Sequence, residues 1–513
     1  KEPTLVVAPP QCIHIWSQGD AVKYFGNYFR IVAYIGAEGA SAVNLTKGNN
    51  LIVTSYETLL SLYRGYICDK MDVGLLTNNE MLRLCHIHNV DVKRWEHLSG
   101  DNLRRELITA TRTLPYKKTG NMNRSAANKL LGVQWGLIIC DEVHKIKNGG
   151  GALCEAVAFL QSNYRLGLTG TPMMNSADDL LSIMRYGLCM FHVTRETIYN
   201  YRHLMLRRTK EDVSEQLALP KRQKHDELQL LDWIDDIQKA EYIRVKQASL
   251  VAFDAIESAA STTERKQLTM SFMAMVQKLR QICIAVNIAP QYRYDWHPVT
   301  HNSFHPWIRI RVLMILQYKA FPQDLRYLIA RYFVRAASQM VQPSPKMLQI
   351  YNLLKKHEKI VVFSSFRAVI EDVIQPWLED IGVQSVLFAG GSRKEQEAAA
   401  AEFEHNRQCR VLLVIKSAGG VGQNFQYASN VCVILDPHFN EALDEQVASR
   451  VHRVGQAKEE VIIRKYLMRG SIDEAMRNMQ VAKSEDIAAW MSGKKTAGYK
   501  MQGLFLNKYD TVK

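Results

Sequence analysis

Short runs rich in Val, Ile and Leu recur along the chain, and each runs into polar residues. The run at 5–8 stops at Pro9-Pro10, that at 51–54 at Ser55-Tyr56, that at 137–140 at Asp141-Glu142, and that at 165–168 at Thr169-Gly170. A continuous apolar run predicts a strand buried on both faces, as in a parallel sheet, with a polar loop at its C-terminal end. In open α/β sheets that edge is where ligands bind. The pattern restarts at 360–363, 385–388, 411–414 and 431–434, with helical stretches between, such as the Ala-rich 394–405. The expected fold class is therefore α/β, with two lobes at about 1–175 and 345–485. The stretch 176–344 reads as mostly helical, becomes aromatic and basic near Tyr292, Tyr294, Trp296 and Trp307, and ends in the linker Pro343-Ser344-Pro345. A basic tail, 486–513, carries from Gly493 onward Lys494, Lys495, Lys500, Lys508 and Lys513 against Asp510.

Composition narrows the class. The 513 residues are 47% hydrophobic and 23% charged, which excludes a disordered chain or a collagen-like fibre. No apolar run approaches the roughly 20 residues of a membrane span, so no membrane partner is expected. The N-terminal Lys1-Glu2-Pro3-Thr4 has no signal-peptide pattern, and the expected location is inside a cell. A net charge of +14 favours a polyanion partner such as nucleic acid, the alternative being solubility alone. Nine cysteines occur with no C-x-x-C spacing, which argues against a disulfide framework, a zinc ribbon or a RING module.

Four elements carry candidate chemistry. Asp141-Glu142-Val143-His144 follows an apolar strand, and an acidic pair at that edge suits Mg-nucleotide hydrolysis. The first carboxylate would hold Mg²⁺, directly or through water, and the second would deprotonate the attacking water; a solvated acidic turn is the alternative. Thr169 and Thr171 lie in a tight turn at the same edge and could relay the state of the site. Gln446, Arg450 and Arg453 fall at i, i+4 and i+7, one face of a helix, from which arginines can reach phosphates as arginine fingers do. The alternative there is a solvated basic face. Ser417 to Asn424 is a Gly-rich turn after a strand, where Gly420 and Gly422 would let backbone amides approach phosphate.

Taken in order, these motifs resemble the switch/sucrose-non-fermenting (Swi/Snf-type) class of superfamily-two helicase-like, DNA-dependent ATPases. Residues 4–9 with Trp16 resemble motif Ia, 52–59 motif Ib, 141–148 motif II, 168–175 motif III, 361–366 motif IV, 417–424 motif V and 446–456 motif VI. Met205-Leu206-Arg207-Arg208-Thr209-Lys210, Leu279 to Cys283, and Ser471-Ile472-Asp473-Glu474 resemble landmarks of the same class. The resemblance implies two RecA-like lobes with helical protrusions between them, ATP and Mg²⁺ as cofactors, and tracking along double-stranded DNA. It implies that Asp141 handles Mg²⁺ and Glu142 is the base. His144, Thr169 and Thr171 would couple the lobes, with Gly422 also at the nucleotide, and Gln446, Arg450 and Arg453 would sense the γ-phosphate. Pro9, Thr54, Ser55, Tyr56, Ser364, Ser365, Ser417, Gly420 and Asn424 would line the DNA path with amides and hydroxyls.

The class places a phosphate-binding loop shortly before motif Ia, and no G-x-x-x-x-G-K-[ST] occurs in this sequence; Gly493-Lys494-Lys495-Thr496 lacks the upstream Gly, Ala488 standing there. The expectation is a chain truncated before motif Ia that binds ATP poorly as it stands. An insertion at about 60–132 holds Cys68, Cys85, His86, His88 and His97 in no closed zinc spacing, and Arg104, Arg105, Arg112, Lys117, Lys118, Arg124 and Lys129, which could meet phosphates. His297, His301 and His305 have helical spacing, but Pro298 and Pro306 break a regular helix. The reading is an ATP-dependent duplex translocase that remodels protein–DNA complexes in chromatin, transcription or repair. Nucleosomes, a polymerase or repair factors would be its partners, in the nucleus, or in a viral factory or virion if the source is viral. A strand-separating DNA or RNA helicase and an ATP-independent DNA-binding scaffold are the alternatives.

Overall fold

The computed structural model describes residues 2–35, 50–66, 76–114, 130–147, 149–173, 177–208, 210, 212–225, 227–285, 343–419 and 424–491. The chain divides into two compact units whose main spans are Lys1–Arg207 and Arg208–Ser484. Each is an α/β lobe built on a parallel sheet with helices against it.

The first sheet has the order β2-β3-β1-β4-β5, from strands β1 (Thr4–Ala8), β2 (Arg30–Tyr34), β3 (Asn50–Ser55), β4 (Gln134–Asp141) and β5 (Gln161–Leu168). Every pairing is parallel. The register sets Ala8 beside Ser55, Val7 beside Cys140 and Asp141 beside Leu168, so the polar ends of four strands emerge along one edge. β3 is buried at every position, and Leu5, Ile52, Tyr56, Trp135 and Phe159 are fully enclosed. Burying side chains of this size stabilises by about 1.5–3 kcal/mol each. β2 is a half-exposed edge strand, which is why its mixed Arg30-Ile31-Val32-Ala33-Tyr34 pattern gave no strand signal.

The second sheet joins β6 (Lys221–Gln223), β7 (Leu228–Leu231), β8 (Ile360–Ser364), β9 (Gln384–Phe388), β10 (Cys409–Ile415), β11 (Val431–Ile434) and β12 (Glu460–Met468). Its order is β6-β12-β11-β8-β10-β9, and β7 adds to β12 beyond β6. Alternate residues feed two cores, one on each face. Val362, Leu413 and Val433 point to one, and Val361, Leu412 and Cys432 to the other. That is the two-sided burial expected of a parallel sheet.

The stretch 176–344 is not helical throughout. Helices Asp236–Glu257 and Thr262–Ile282 pack as a pair, tied where Gln238 Nε2 donates to the Ile282 carbonyl at 2.7 Å. Residues 221–223 and 228–231, however, are strands on the second sheet, because the polar Lys221-Arg222-Gln223 and the short Leu228–Leu231 run pair with β12 instead of completing a helical turn. β12 itself carries Arg464 and Lys465 mid-strand, and these charges hid it in the sequence. Lys465 is satisfied by Glu445 at 2.8 Å and Glu227 at 3.2 Å. The segment 286–342, with His297, His301 and His305, lies outside the described residues, as does most of the tail. Among the described residues no helix is long and apolar enough to cross a membrane.

Two ionic contacts organise the second lobe. Lys346 and Asp473 are wholly buried, Nζ to Oδ2 2.7 Å, and Lys346 Nζ also donates to the Leu435 carbonyl. Removing one partner of such a pair costs about 3–5 kcal/mol, whereas an apolar pair of similar volume is often tolerated. Lys346→Met should therefore lower the urea midpoint of the second lobe sharply, and Lys346→Met with Asp473→Leu should recover most of the loss. Equal midpoints for the single and double variants would contradict this.

Glu445 accepts from Arg222 at 2.6 and 3.0 Å and from Lys465 at 2.8 Å. Burial would raise its carboxyl, but the Arg222 and Lys465 charges overcome that and hold it at about 2 against an ordinary 4.5. A depressed carboxylate contributes stability above its unfolded pKa and loses it as pH falls through the folded one. Glu445→Gln should destabilise the lobe at pH 7 and flatten the loss between pH about 4.5 and about 2. Parallel acid-unfolding curves for the variant and wild type would count against it.

Candidate functional site

The first lobe gathers the acidic pair at the end of β4. Asp141 is the last strand residue, and Glu142 takes a left-handed conformation, φ 48° and ψ 49°. A non-Gly residue held there costs about 1–3 kcal/mol and persists only where its surroundings impose it. Here the next residues, Val143–Ile146, coil into a tight turn, and Val143 packs against Gly167, where a Cβ would stand 3.1 Å from Val143 Cγ1. The kink aims Glu142 and His144 at the end of β5. His144 Nδ1 lies 2.9 Å from Thr169 Oγ1, 3.4 Å from Thr171 Oγ1 and 3.2 Å from Glu142 Oε2. Thr169 Oγ1 accepts from the Thr171 amide at 3.0 Å, so its proton is left for a bare Nδ1. A protonated Nδ1 would instead donate to Glu142. One imidazole nitrogen thus sits between the carboxylate pair and the threonine turn.

Asp141 is held from several directions. Its Oδ2 accepts from Trp16 Nε1 at 2.9 Å and its Oδ1 from the Glu142 amide at 3.0 Å. Its carbonyl accepts from the Tyr56 hydroxyl at 2.8 Å. Burial raises the Asp141 carboxyl above its ordinary value, Trp16 pulls it back and the Glu142 charge pushes it further up. Among the described residues no three His, Cys, Asp or Glu side chains converge on one point. The donor set does not make an all-protein metal cage. It does fit Mg²⁺, a hard ion that keeps much of its water and binds through one or two carboxylates and phosphate oxygens.

The side chains expected along a DNA path in this lobe are elsewhere. Thr54 is fully buried and donates to the Tyr34 carbonyl at 2.9 Å. Ser55 caps the helix Tyr56–Tyr66, accepting from the Thr58 amide at 2.9 Å. Tyr56 is buried on Asp141, and Pro9 is buried at the start of the next turn. β3 is a central strand, and the hydroxyls of Thr54, Ser55 and Tyr56 are used in hydrogen bonds inside the lobe.

In the second lobe the arginine motif is likewise differently built. The helix Glu441–Ala448 carries Gln446 but ends before Arg450 and Arg453. The Arg450 carbonyl accepts from the Phe425 amide at 3.0 Å, which diverts it from the helical ladder, and Gly455 turns the chain at φ 89°. The three side chains therefore do not share one helix face. Arg450 is buried, and Arg453 Nη1 donates to Asn424 Oδ1 at 2.6 Å. The turn is fastened from 210–220: Lys210 Nζ donates to the His452 carbonyl at 2.6 Å, and His452 Nε2 to the Pro220 carbonyl at 2.9 Å. Burial and the charges of Arg222, Arg453 and Arg450, opposed by Glu445, lower Lys210 to about 8.

The ends of β8, β10 and β11 meet at a buried cluster that the sequence reading missed. Lys416 binds Asp444 at 2.8 Å and stands 3.7 Å from Asp436; Arg280 binds Asp436 at 3.2 Å. The Asp436 carboxylate accepts from the Ser365 amide at 3.0 Å, and Ser364 Oγ accepts from the Phe366 amide at 3.1 Å, fixing the turn of 364–366. The available signal was a charged residue at the end of two apolar strands, Lys416 directly after β10 and Asp436 two residues past β11. Ser417 is exposed beside this cluster, while Gly420 and Gly422 lie outside the described residues. In the 60–132 insertion, Cys85 is buried, His86 stacks on Phe191 at 5.7 Å, and Arg104 serves the Leu76 carbonyl and Asn78. Cys68, Lys117, Lys118, Arg124 and Lys129 fall outside the described residues.

Comparison with known proteins follows the same division. Residues 1–197 match the SNF2-related domain and residues 345–455 the helicase conserved C-terminal domain. The DNA excision repair protein ERCC-6-like 2 of Mus musculus is 24% identical over 404 residues, 71% of this chain and 26% of its own length. Transcription termination factor 2 of Drosophila melanogaster is 24% identical over 459 residues, 72% and 43% respectively. Chromodomain-helicase-DNA-binding protein 8 of Rattus norvegicus is 26% identical over 383 residues, 70% and 13%. The chain thus spans less than half the length of these relatives. Among solved structures, the Sulfolobus solfataricus SWI2/SNF2 ATPase core in complex with dsDNA covers 96% of this chain and 83% of its own at 19% identity, with a TM-score of 0.33. The C-terminal part of the Fun30 ATPase domain covers 51% and 90% at 24% identity, with a TM-score of 0.39. With an SNF2-related domain over its first lobe and a helicase conserved C-terminal domain within its second, the chain resembles the Swi/Snf-type class of helicase-like ATPases in both lobes.

Proposed function

We propose that this chain is the motor of an ATP-dependent translocase on double-stranded DNA that remodels protein–DNA complexes. The observation that carries the reading is the Asp141-Glu142 pair at the end of β4, joined through one His144 nitrogen to Thr169 and Thr171. Asp141 would hold Mg²⁺, through water. Bound there, Mg²⁺ would neutralise charge on the phosphates. Glu142 accepts the proton of the attacking water on a carboxylate oxygen, and its left-handed backbone aims it. His144 exchanges partners between Glu142 and Thr169, so the threonine turn senses the protonation of the base. Gln446, Arg450 and Arg453 would serve the γ-phosphate from the second lobe, with Arg450 held by burial and Arg453 by Asn424.

The net charge of +14 supports a nucleic-acid partner. Ser417 and Asn424, with Gly420 and Gly422 between them in the sequence, would contact phosphates, which position a protein without specifying sequence. The names of the relatives, excision repair, transcription termination and chromodomain-helicase-DNA-binding, support a target in repair, transcription or chromatin, and a nuclear location.

The test is ATP hydrolysis by the full-length polypeptide without nucleic acid, with duplex DNA, with single strands and with RNA, beside Glu142→Gln. Duplex DNA should stimulate strongly, and the variant should lose about 100-fold or more, the size of a general-base effect. Stimulation by single strands or RNA alone would favour a strand-separating helicase. No hydrolysis under any condition would leave an ATP-independent scaffold.

A further inference from the structure

Two aromatic side chains converge on Asp141 from far along the chain. Trp16, in the helix Ile13–Ser17, lies 125 positions away and donates its indole N–H to Oδ2 at 2.9 Å. Tyr56, 85 positions away, donates its hydroxyl to the Asp141 carbonyl at 2.8 Å. Neither contact follows from the class motifs, in which these residues belong to the segments assigned to DNA. We propose that Trp16 and Tyr56 are positioning residues for the divalent-ion carboxylate, fixing Asp141 in direction before the ion arrives. The inference rests on the ATPase reading of the same site.

The argument is geometric. A carboxylate offers about four lone-pair sites. The Trp16 indole takes one on Oδ2, and the Glu142 amide takes one on Oδ1. With both oxygens engaged, the group cannot rotate about its terminal bond without losing a hydrogen bond, so the remaining lone pairs keep one direction. An indole N–H only donates, so it cannot compete for the ion itself. Tyr56 acts on the backbone of the same residue, at the point where the chain turns into the left-handed Glu142. Its side chain is buried, with the hydroxyl donating to the Asp141 carbonyl. Partners of this kind behind a metal ligand typically carry about 10–100-fold in metal affinity. Phe keeps the ring at Tyr56 and an aromatic, though smaller, ring at Trp16, and removes the donor at either position.

Two readouts on the full-length polypeptide separate this from simple packing. The first is the Mg²⁺ dependence of ATP hydrolysis. Trp16→Phe and Tyr56→Phe should each raise the half-saturating Mg²⁺ by about 10-fold or more, with much of the rate recovered at high Mg²⁺. The second does not depend on turnover. Wild-type protein carrying 5-fluorotryptophan is loaded with ADP and titrated with Mn²⁺ while its ¹⁹F spectrum is followed. Strong broadening of one indole resonance, the one missing from Trp16→Phe, is the expected result. Should Trp16→Phe fail to fold, the Tyr56→Phe titration still decides. Unchanged Mg²⁺ dependence in a folded variant, or an indole spectrum indifferent to Mn²⁺ while wild type hydrolyses ATP, overturns the positioning role alone. Absence of hydrolysis and of ADP binding in wild type overturns the ATPase reading, and this inference with it.

Discussion

Burial of both faces of the central strands of each parallel sheet is the constraint on which the rest depends. β3, β8 and β11 have no face left for water, and their neighbours fill both sides with Val, Ile and Leu. A strand enclosed in this way has room for chemistry only at its ends. Asp141, Thr169, Ser364, Lys416 and Asp436 all stand at or just past the C-terminal end of a strand. Their positions are consequences of the sheets, and the alignment of strand ends by register brings them within hydrogen-bond range in each lobe.

At those ends the two lobes satisfy polar groups differently. In the first, hydrogen bonds to a carboxylate dominate. Trp16, Tyr56 and the Glu142 amide hold Asp141, and a single imidazole links Glu142 to two threonines. In the second, charges are buried and paired. Lys416, Arg280, Asp436 and Asp444 form one cluster, and Arg222, Glu445, Lys465 and Glu227 another. Burial alone would raise Asp436, yet Lys416 and Arg280 hold it below its ordinary value. Buried pairs of this kind add little net stability over apolar residues, but they penalise any displacement that separates them. The turn carrying Arg450 and Arg453 therefore has a defined place, pinned by Lys210, Pro220 and Asn424.

The sequence disclosed what depends on apolar runs and short motifs. The eight strands read from continuous Val, Ile and Leu stretches are present, and so is the acidic pair with its His144 and Thr169 companions. What stayed hidden depends on partners distant in sequence. β12 carries charges mid-strand that only Glu445 and Glu227 make tolerable, and β6 and β7 are too short to show a period. The helix bearing Gln446 stops at Ala448, where the Ser449 hydroxyl donates to the Gln446 carbonyl, and beyond it the Arg450 carbonyl takes the Phe425 amide, a contact no local pattern encodes. Thr54, Ser55 and Tyr56 have the residue types of a nucleic-acid surface, but the depth of β3 in its sheet turns their hydroxyls inward.

The central claim is that the Asp141-Glu142 site drives movement along intact duplex DNA. Displacement of a triplex-forming strand from duplex DNA by the full-length polypeptide measures that movement directly. The account predicts displacement that requires ATP, disappears in Glu142→Gln and leaves the duplex paired. Displacement without ATP, or separation of the duplex strands themselves, would contradict it.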